Sequence, residues 1–468
     1  MMKKLVSLFG IFPAVLCAAT ISDLSLSQRE DGIVVVTYSL DADAVVTADF
    51  RNQGVSLGAS RHWSLDGDVN RLVAAGAGKQ ITWHPAVDVP GENLPAVTVE
   101  LKAWAESDPP DYMVADLLTT TACRIRYYPT ADHLPGGIVS NEQYRMYYMP
   151  FRKIKAKNVT WTMGTTKELG RATGGEETAH EVTLDHNYFI GVFEVTKAQC
   201  ESVGSTKSAD CTHSGTSRWR LTPSGRITWN TWRGTLPPAA PGDTSVCGKF
   251  TARIGFAVDL PLESQWEFAA RGGHGEGTWG DGSQILKTES SDSNLNRLSI
   301  NAHHIGTMTE TGTCEPNSYG LYDMHGNIGE FCRDWYQKDI TALNGALCVS
   351  STDPSRRADG IVGTNRVIRG GYWTYKPKYV RASYRTYGKP GEFKTERGAR
   401  LVTLANLGPE VAPAAFVSEE SLAIDTRVSP PDAAVSVAPI ARRTFHSVLS
   451  DAFALDTLTP PGLILILR

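Results

Sequence analysis

The chain has 468 residues, of which 41% are hydrophobic and 21% charged, an ordinary globular composition that allows about two to four domains. Its net charge of −4 gives no electrostatic basis for nucleic-acid binding. The 43 glycines, 25 prolines and 11 tryptophans argue against a helical bundle and predict many turns and short strands around aromatic side chains.

The N-terminus is typical of a secretory signal peptide, which we place at residues 1–19. Lys3 and Lys4 supply the positive charge, residues 5–16 form an apolar core, and residues 17–19 (CAA) resemble a cleavage site. This core is short for a membrane span, and no other stretch approaches spanning length. Leu16 fits a lipoprotein signal poorly, so lipid anchoring ranks second. We therefore expect export to the periplasm, the cell surface or the medium.

Residues 20–105 are predicted to be all-β. Short segments rich in β-branched residues or with alternating polarity are separated by turn-forming clusters. Four of these strand-like segments are residues 33–38, 45–50, 80–83 and 97–104. This spacing favours an immunoglobulin-like or fibronectin-like sandwich that acts as a spacer or docking module. Residues 106–155, which begin near a Pro-Pro pair, are interpreted as a connector.

Two helices are predicted in the second half of the chain. Residues 196–202 begin with Thr196, a plausible N-cap. Residues 260–273 (LPLESQWEFAARGG) are the clearest helix, with a start at or just before Ser264 and a glycine pair at the end. These short helices among strands indicate an α+β domain.

A stretch at residues 319–336 (YGLYDMHGNIGEFCRDWY) combines aromatics, glycines and acids. Asp323, Asn327 and Glu330 place oxygen donors at short spacing, and Gly326 lets the backbone bend between them. Such a loop could hold calcium. It could equally be an aromatic turn whose polar groups cap the local backbone, because it lacks the regular twelve-residue calcium-loop pattern.

Several of these segments together resemble the formylglycine-generating enzyme family, the sulfatase-modifying factor domain. The segments follow the family's order: 163–164, 193–196, 260–273, 319–336, 366–373 (RVIRGGYW) and 385–402. The resemblance covers residues 156–403 and implies an irregular, C-type-lectin-like variant of an α+β fold with a small twisted sheet. The all-β sandwich precedes this domain, and residues 404–468 follow it as an extension without an assigned role.

The resemblance implies that the founding activity is missing. Active members oxidise a cysteine of a target sulfatase to formylglycine with molecular oxygen and copper, which two cysteines five residues apart bind. The matching positions here are Tyr375 and Val380, and neither supplies a thiolate. The serine that usually follows the Arg-Gly-Gly motif is Tyr372. We predict no catalytic residue and expect neither copper nor iron.

The calcium interpretation gains support from the resemblance. Asp323, Gly326, Ile328 and Glu330 align with a calcium site of the family, which uses two side chains and two backbone carbonyls. Calcium accepts such a mixture of carboxylate and main-chain oxygens. The resemblance therefore implies a structural calcium ion at this loop.

Aromatic and cationic residues crowd the sequence after the Arg-Gly-Gly motif. In the family this region lines the substrate groove, and exposed tyrosine and arginine are typical of recognition surfaces. The candidate groove residues are Tyr372, Tyr375, Tyr379, Arg381 and Tyr387. About half of the aromatics could instead belong to the core, with Trp373 and Tyr384 as candidates. The groove is expected to bind a peptide, protein or glycan.

Three functions remain open from the sequence. The first is an exported binding protein, a pseudoenzyme of this family. The second is a metal-dependent oxidoreductase, with nonheme iron or copper, that acts on a protein or thiol substrate. The third is a purely structural surface protein. In the extension, residues 418–427 and 445–458 are predicted to form short strands or one helix.

Overall fold

The computed structural model describes residues 19–427 apart from 119–124, 167, 171–176, 206–218, 238, 276–277, 339, 341–345, 349–362, 404–406 and 409. Residues 1–18 of the predicted signal peptide and residues 445–458 of the extension therefore lie outside the described residues. Among the residues that are described, no helix combines the length and apolar character that crossing a membrane requires.

Residues 19–105 form an N-terminal unit built of antiparallel strands. Its elements are β1 (Ile21–Gln28), β2 (Val34–Leu40), β3 (Ala44–Asn52), β4 (Val55–Ser56), β5 (Asp66–Gly67), β6 (Arg71–Val73), β7 (Gly76–Trp83), α1 (Pro85–Asp88), β8 (Asn93–Ala105) and a 3-10 helix at Ala59–Arg61. The four strand segments predicted from the sequence fall within β2, β3, β7 and β8.

The rest of the chain is more irregular. The strands and helices up to the glycine pair are β9 (Tyr112–Asp116), β10 (Ile125–Tyr128), α2 (Gln143–Met146), β11 (Tyr148–Ile154), β12 (Val159–Met163), β13 (His180–Leu184), β14 (Tyr188–Gly191), α3 (Lys197–Ser202), α4 (Trp229–Arg233), α5 (Val246–Ile254), β15 (Val258–Asp259) and α6 (Glu263–Ala270). Short 3-10 helices lie at Ala131–His133, Trp219–Leu221 and Pro377–Tyr379.

The last elements complete both parts of the molecule. They are α7 (Ser293–Asn296), β16 (Ser299–Ile300), β17 (His325–Gly326), β18 (Gly329–Trp335), β19 (Ala346–Cys348), β20 (Arg366–Arg369), β21 (Thr386–Gly388), β22 (Arg397–Gly398), β23 (Val402–Thr403), β24 (Ala414–Val417) and β25 (Leu422–Asp425). Of the two alternatives predicted for residues 418–427, short strands or one helix, the structure shows a short strand, β25.

Two sheets enclose the core of the N-terminal unit. One has the order β1-β2-β7-β5, and the other has the order β24-β8-β3-β4, with β6 also on β3 and β25 also on β8. The rings of Phe50 and Trp83 stack across this core with centroids 4.2 Å apart. Alternating apolar side chains from both sheets fill the space between them, as period-2 patterning requires.

The C-terminal extension belongs to this N-terminal core. β24 and β25 both pair with β8, and Ile424 is 1% exposed inside the core. Residues from the two ends of the chain therefore share one sheet. This pairing gives residues 414–425 the structural role that the sequence could not assign.

The central domain, residues 112–403, is built on a sheet with the order β10-β9-β11-β14-β23-β15. The segment interpreted as a connector supplies β9, β10 and β11 to this sheet, so it is an integral part of the domain. A buried ion pair fixes its start, because the Lys153 ammonium lies 2.8 Å from the Asp108 carboxylate. The boundary could not be predicted from the sequence, because it depends on how β9, β10 and β11 pair with one another and with β14.

A second sheet of the central domain has the order β21-β20-β18-β22. Helix α6 packs against it and begins one residue before the predicted Ser264. The backbone N–H of Glu263 donates to the Asp334 carboxylate at 2.8 Å, so a tertiary contact caps this end. Helix α3 has the predicted N-cap, since the Thr196 hydroxyl accepts from the backbone N–H of Gln199 at 3.2 Å.

Candidate functional site

The turn segment at residues 323–328, which includes β17 and leads into β18, carries residues with unusual backbone conformations. Asp323 and Asn327 have φ of 60° and 55°, in the left-handed region. Gly326 has φ of 105°, and a Cβ there would lie 2.0 Å from the Ile300 carbonyl oxygen. Only glycine fits this position, so the bend predicted from Gly326 is a steric requirement of the fold.

Three buried carboxylates surround this turn: those of Glu194, Asp323 and Glu330, which we call the acidic cluster. Arg400 forms an ion pair with Glu330, with Nη2 and Oε1 2.9 Å apart and both side chains 0% exposed. The Trp266 indole N–H donates to the other oxygen of Glu330 at 2.6 Å. Both oxygens of Glu330 therefore have donors within the protein.

Glu194 was not found from the sequence, and it lies at the centre of the acidic cluster. Its carboxylate accepts from the Asn327 side-chain amide at 2.7 Å and from the Ile328 backbone N–H at 3.1 Å. Burial, together with the charges of Asp323 and Glu330, raises the pKa of Glu194 well above its usual value. The signal that could have revealed it is an acid inside the apolar run at 188–195.

Asp323 has one oxygen without a hydrogen-bond partner among the described residues. Its Oδ2 accepts from the Gly312 backbone N–H at 2.6 Å, whereas the buried Oδ1 accepts no hydrogen bond. Burial raises the pKa of Asp323 to about 6, although the Gly312 N–H opposes the increase. The acidic cluster therefore contains more carboxylates than the single guanidinium of Arg400 can neutralise.

The predicted calcium residues meet at this turn, but only some have free oxygens. The unpaired Oδ1 of Asp323 and the excess of carboxylates over arginine fit a cation, whereas Glu330 is occupied by Arg400 and Trp266. In the part of the chain that the structure describes, no three His, Cys, Asp or Glu side chains are grouped closely enough to hold a metal ion. Electrostatic interactions extend further than metal–ligand distances, so Asp323 and Glu330 can raise the pKa of Glu194 without forming such a group. The predicted set, with two carboxylates and two carbonyls, remains a prediction.

Four tyrosines pack together after the Arg-Gly-Gly motif and form what we call the tyrosine cluster: Tyr372, Tyr375, Tyr379 and Tyr384. The Tyr375 ring lies at the centre, with centroids 4.3 Å from Tyr372, 5.5 Å from Tyr379 and 6.2 Å from Tyr384. Tyr372 is buried and the other three are half-buried. Tyr384, a candidate for the core, is instead part of this partly exposed cluster.

Burial keeps the phenols of the tyrosine cluster neutral. It raises the pKa of Tyr372 and Tyr384 above the usual value, although the positive charge of Arg397 opposes the increase at Tyr372. Burial raises the pKa of the Tyr375 phenol. The cluster therefore presents aromatic faces and neutral hydroxyls near neutral pH.

The charged side chains beside the tyrosine cluster are engaged with each other. The Lys376 ammonium lies 2.8 Å from the Glu289 carboxylate, and Lys378 pairs with the same carboxylate. Hydrogen bonds from Lys376 and Lys378 lower the pKa of Glu289. Arg397 likewise pairs with Glu392 at 2.8 Å. These pairs leave an uncharged surface at the tyrosines themselves.

Two residues predicted for the groove lie elsewhere. Arg381 is 1% exposed, and its guanidinium pairs with Glu177 at 2.7 Å and Glu168 at 3.1 Å, so it supports the fold beneath the cluster. Tyr387 is 50% exposed, and its ring packs on Tyr336 with centroids 4.5 Å apart. Because side chains alternate along β21, Tyr387 faces away from Thr386 and the tyrosine cluster.

The two positions predicted to match the family's copper-binding cysteines have different environments. Tyr375 is at the centre of the tyrosine cluster. Val380 is 0% exposed among apolar side chains such as Trp279 and Leu295, and its carbonyl accepts from His325 Nδ1 at 2.9 Å. Burial lowers the pKa of His325 to about 4, so this histidine is neutral near neutral pH.

The described cysteines are poor sources of thiolate. Cys200, Cys247 and Cys332 are free and buried, and Cys314 is free and partly exposed. Burial raises the pKa of the Cys200 and Cys314 thiols to about 12, and that of Cys332 well above its usual value. Thiolate character is what metal binding and nucleophilic attack require.

A small cavity of about 30 Å³ lies apart from the tyrosine cluster. Its lining includes Thr162, Gly164 and Arg271. The Arg271 guanidinium already donates to Glu267 and to the Gly164 carbonyl at 2.7 Å. The cavity therefore offers a small polar space in which the charged group is engaged, and no tyrosine of the cluster lines it.

Residues 148–405, more than half of the chain, match the family model described as "Sulfatase-modifying factor enzyme 1-like domain". The chain belongs to this family. The match extends a few residues beyond the predicted span at both ends, and β9 and β10 continue the same sheet further toward the N-terminus. The resemblance inferred from the sequence is confirmed.

Several curated proteins are similar to parts of this chain. It is 31% identical over 150 residues to the "Formylglycine-generating enzyme" of Thermomonospora curvata, covering 30% of this chain and 48% of that protein. It is 30% identical over 147 residues to the "Serine/threonine-protein kinase pkn1" of Chlamydia pneumoniae, covering 31% and 21%. It is 33% identical over 102 residues to the "Inactive C-alpha-formylglycine-generating enzyme 2" of Mus musculus, covering 20% and 33%. The matches thus span about half or less of these relatives.

Solved structures of similar shape include Treponema denticola variable protein 1, with a TM-score of 0.42 and 22% identity over 55% of this chain and 95% of that one. PvdO from Pseudomonas aeruginosa has a TM-score of 0.40 and 19% identity over 54% of this chain and 94% of that one.

Proposed function

We propose that this protein is an exported member of the family that binds an uncharged part of a peptide or glycan through the tyrosine cluster and does not generate formylglycine. One observation carries the proposal: Tyr375 occupies the position that matches a copper-binding cysteine, and it lies at the centre of four packed tyrosines. Half-buried tyrosines with hydroxyls at their edges can stack on a ligand and hydrogen-bond to it.

The pairing of the charged groups supports an uncharged ligand. Lys376 and Lys378 share the single carboxylate of Glu289, and Arg397 is paired with Glu392. A charged ligand would have to compete with these pairs, whereas a sugar ring or an apolar peptide side chain would not.

The oxidoreductase alternative gains no support from the described cysteines. A copper site of the family type needs two thiolates, and burial raises the thiol pKa of Cys200, Cys314 and Cys332. Val380 is enclosed in an apolar cluster, supplies no thiolate, and has its carbonyl engaged by His325. We therefore place the function in binding.

Replacing Tyr375 with alanine is expected to weaken ligand binding by about 30-fold or more, the loss typical of a central aromatic anchor. Tyr387→Ala is the matched control, because Tyr387 is an exposed tyrosine on β21 that faces away from the cluster. Parallel peptide and glycan arrays with the full-length protein identify the ligand class. Equal loss in both variants, or no loss in Tyr375→Ala, would remove the tyrosine cluster from the proposal.

We also propose that the N-terminal unit is an immunoglobulin-like or fibronectin-like spacer that presents the central domain after export. Its two sheets and their shared core support this role. The interpretation of residues 1–19 as a signal peptide supports export to the periplasm, the cell surface or the medium.

A structural calcium ion at the acidic cluster completes the proposal. Asp323 and Glu330, with the carbonyls of Gly326 and Ile328, are the predicted ligands. The unpaired Oδ1 of Asp323 supports this assignment, as does the raised pKa that an added cation would lower. When bound, calcium would neutralise the carboxylates that Arg400 leaves uncompensated and stabilise the turn.

Millimolar calcium is expected to raise the unfolding temperature near neutral pH and to bind about tenfold more weakly at about pH 5, because the pKa of about 6 lets a proton compete for Asp323. Because folding raises the pKa of Asp323, protonation of Asp323 stabilises the metal-free protein. This contribution is fully present below pH 3.8 and is lost as the pH rises through about 6. Calorimetry with magnesium as control measures the effect. Asp323→Asn should abolish it, and an unchanged calcium response in that variant would contradict the site.

A further inference from the structure

The N-terminal unit and the central domain meet along a contact that the binding function does not use. The 3-10 helices Ala59–Arg61 and Ala131–His133 pack against each other there. The Trp63 indole N–H donates to the Asp132 carbonyl at 3.2 Å. The backbone N–H of Tyr127 donates to the Asn70 carbonyl at 2.7 Å. These hydrogen bonds tie loops of the N-terminal unit to the first strands of the central domain.

His62 lies beside this contact with its side chain 2% exposed. Its ring lies 5.7 Å from the Phe50 ring and 6.4 Å from the Trp83 ring, measured between centroids. Its Nε2 accepts a hydrogen bond from the Phe50 backbone N–H at 3.0 Å, while its Nδ1 has no partner among the described residues. Because Nε2 is an acceptor, the ring is neutral and carries its proton on Nδ1.

A second proton on His62 has no favourable position. It would have to occupy Nε2, where the Phe50 N–H already points, so the charged ring and this backbone hydrogen bond are mutually exclusive. Protonation would also place a charge in the apolar contact with Phe50 and Trp83. The fold therefore admits only the neutral histidine at this position.

The charged groups around His62 come from three elements and only partly compensate. On β3, the Asp49 carboxylate lies 3.8 Å from His62 Nε2, but it also accepts from Arg51 and from Ser56. From the Ala131–His133 helix, His133 opposes a positive charge on His62. Asp132 raises the pKa of His133, and Lys102 on β8 lowers it.

We propose that His62 is an acid-operated latch between the two parts of the molecule: its protonation breaks the bond to Phe50, releases the Ala59–Arg61 helix from the Ala131–His133 helix, and opens the contact. Acidification is the trigger, and the partner of the N-terminal unit is the central domain of the same chain. The latch is independent of the ligand at the tyrosine cluster and of calcium.

The direction of the effect follows from the environment of His62. Burial lowers the pKa of His62 from 6.5 to about 4 in the closed state. The open state returns to the ordinary value, so it binds more protons than the closed state between these limits. The stability that neutral His62 gives to the closed state is therefore complete above pH 6.5, and it decreases as the pH falls toward about 4. The opening equilibrium should increase about 30-fold between about pH 7.5 and about pH 5.

Hydrogen–deuterium exchange of the full chain tests the latch. Protection factors, corrected for the intrinsic pH dependence of exchange, are compared at about pH 7.5 and about pH 5 for the amides of Phe50 and Tyr127. Both should fall by about 30-fold in the wild-type protein, while β20 keeps its protection. His62→Gln keeps an acceptor for the Phe50 N–H and does not titrate, so the decrease should disappear. His133→Gln should retain most of it.

Each contrary result overturns a named part of the proposal. Constant protection of Phe50 in the wild-type protein, or an equal decrease in His62→Gln, would show that His62 is not the trigger. A decrease at Phe50 without one at Tyr127 would show that the contact between the two parts stays closed. If His62→Gln does not fold, the wild-type pH profile decides, because one proton per opening is required and a steeper dependence contradicts a single histidine.

Discussion

Replacing Arg400 with methionine is expected to lower the free energy of unfolding by about 3–5 kcal/mol, the usual effect of leaving a buried charge unpaired. Arg400 is 0% exposed and pairs with Glu330 at 2.9 Å. Its guanidinium also donates to the Gly191 and Val192 carbonyls at 2.8 Å. Removing it would leave Glu330 without its ion-pair partner and would remove one hydrogen bond from each of these carbonyls.

Urea denaturation of the full-length protein measures this change. Arg427→Met is the matched control, because Arg427 pairs with Asp425 at 2.6 Å with its side chain 57% exposed. Removal of this exposed pair should leave the free energy of unfolding nearly unchanged, because water and salt screen the interaction. A similar small effect for Arg400→Met would show that the acidic cluster is not organised around this arginine. Saturating calcium should recover part of the loss if the ion binds at Asp323.

Replacing Ile424 with alanine is expected to destabilise the N-terminal unit by about 2–5 kcal/mol, the cost of a cavity in a packed core. Ile424 is 1% exposed on β25, where it packs among side chains of both sheets. The residue is separated from its β8 neighbour Leu94 by most of the chain, although the two strands are paired. The effect therefore tests whether the C-terminal extension is part of the N-terminal core.

Val417→Ala is the control for this prediction, since Val417 pairs with the same strand but is 54% exposed. It should cost less than about 1 kcal/mol. Hydrogen exchange in β8 reports on the N-terminal unit directly, and its protection should fall in Ile424→Ala only. Unchanged protection in that variant would mean that β24 and β25 do not hold the N-terminal unit together.

Local pattern was sufficient to predict part of this structure. The strands of the N-terminal unit, the N-cap at Thr196 and the family of the central domain follow from alternation, capping chemistry and segment order, which are all local properties. Strand pairing is not local. The assignment of β9 and β10 to the central sheet, and of β24 and β25 to the N-terminal unit, depends on which distant segments bury each other's apolar faces.

The residues of the candidate site were likewise predictable only where a local motif reveals them. Tyr372, Tyr375 and Tyr379 were found because they follow a recognisable motif. Arg381 belongs to the same run, but its partners Glu168 and Glu177 come from a distant loop, so its burial in ion pairs could not be inferred. Glu194 was missed for the same reason, because its proximity to Asp323 is created only by folding.

The most direct test of the proposed function is an assay of formylglycine formation. The full-length protein, reconstituted with copper under oxygen, is incubated with a peptide that carries the sulfatase motif, and aldehyde formation is followed by mass spectrometry. With Tyr375 and Val380 at the positions of the two thiolates, we predict no conversion above a reaction without protein. Conversion over many turnovers would contradict the proposal and return the protein to the oxidising members of its family.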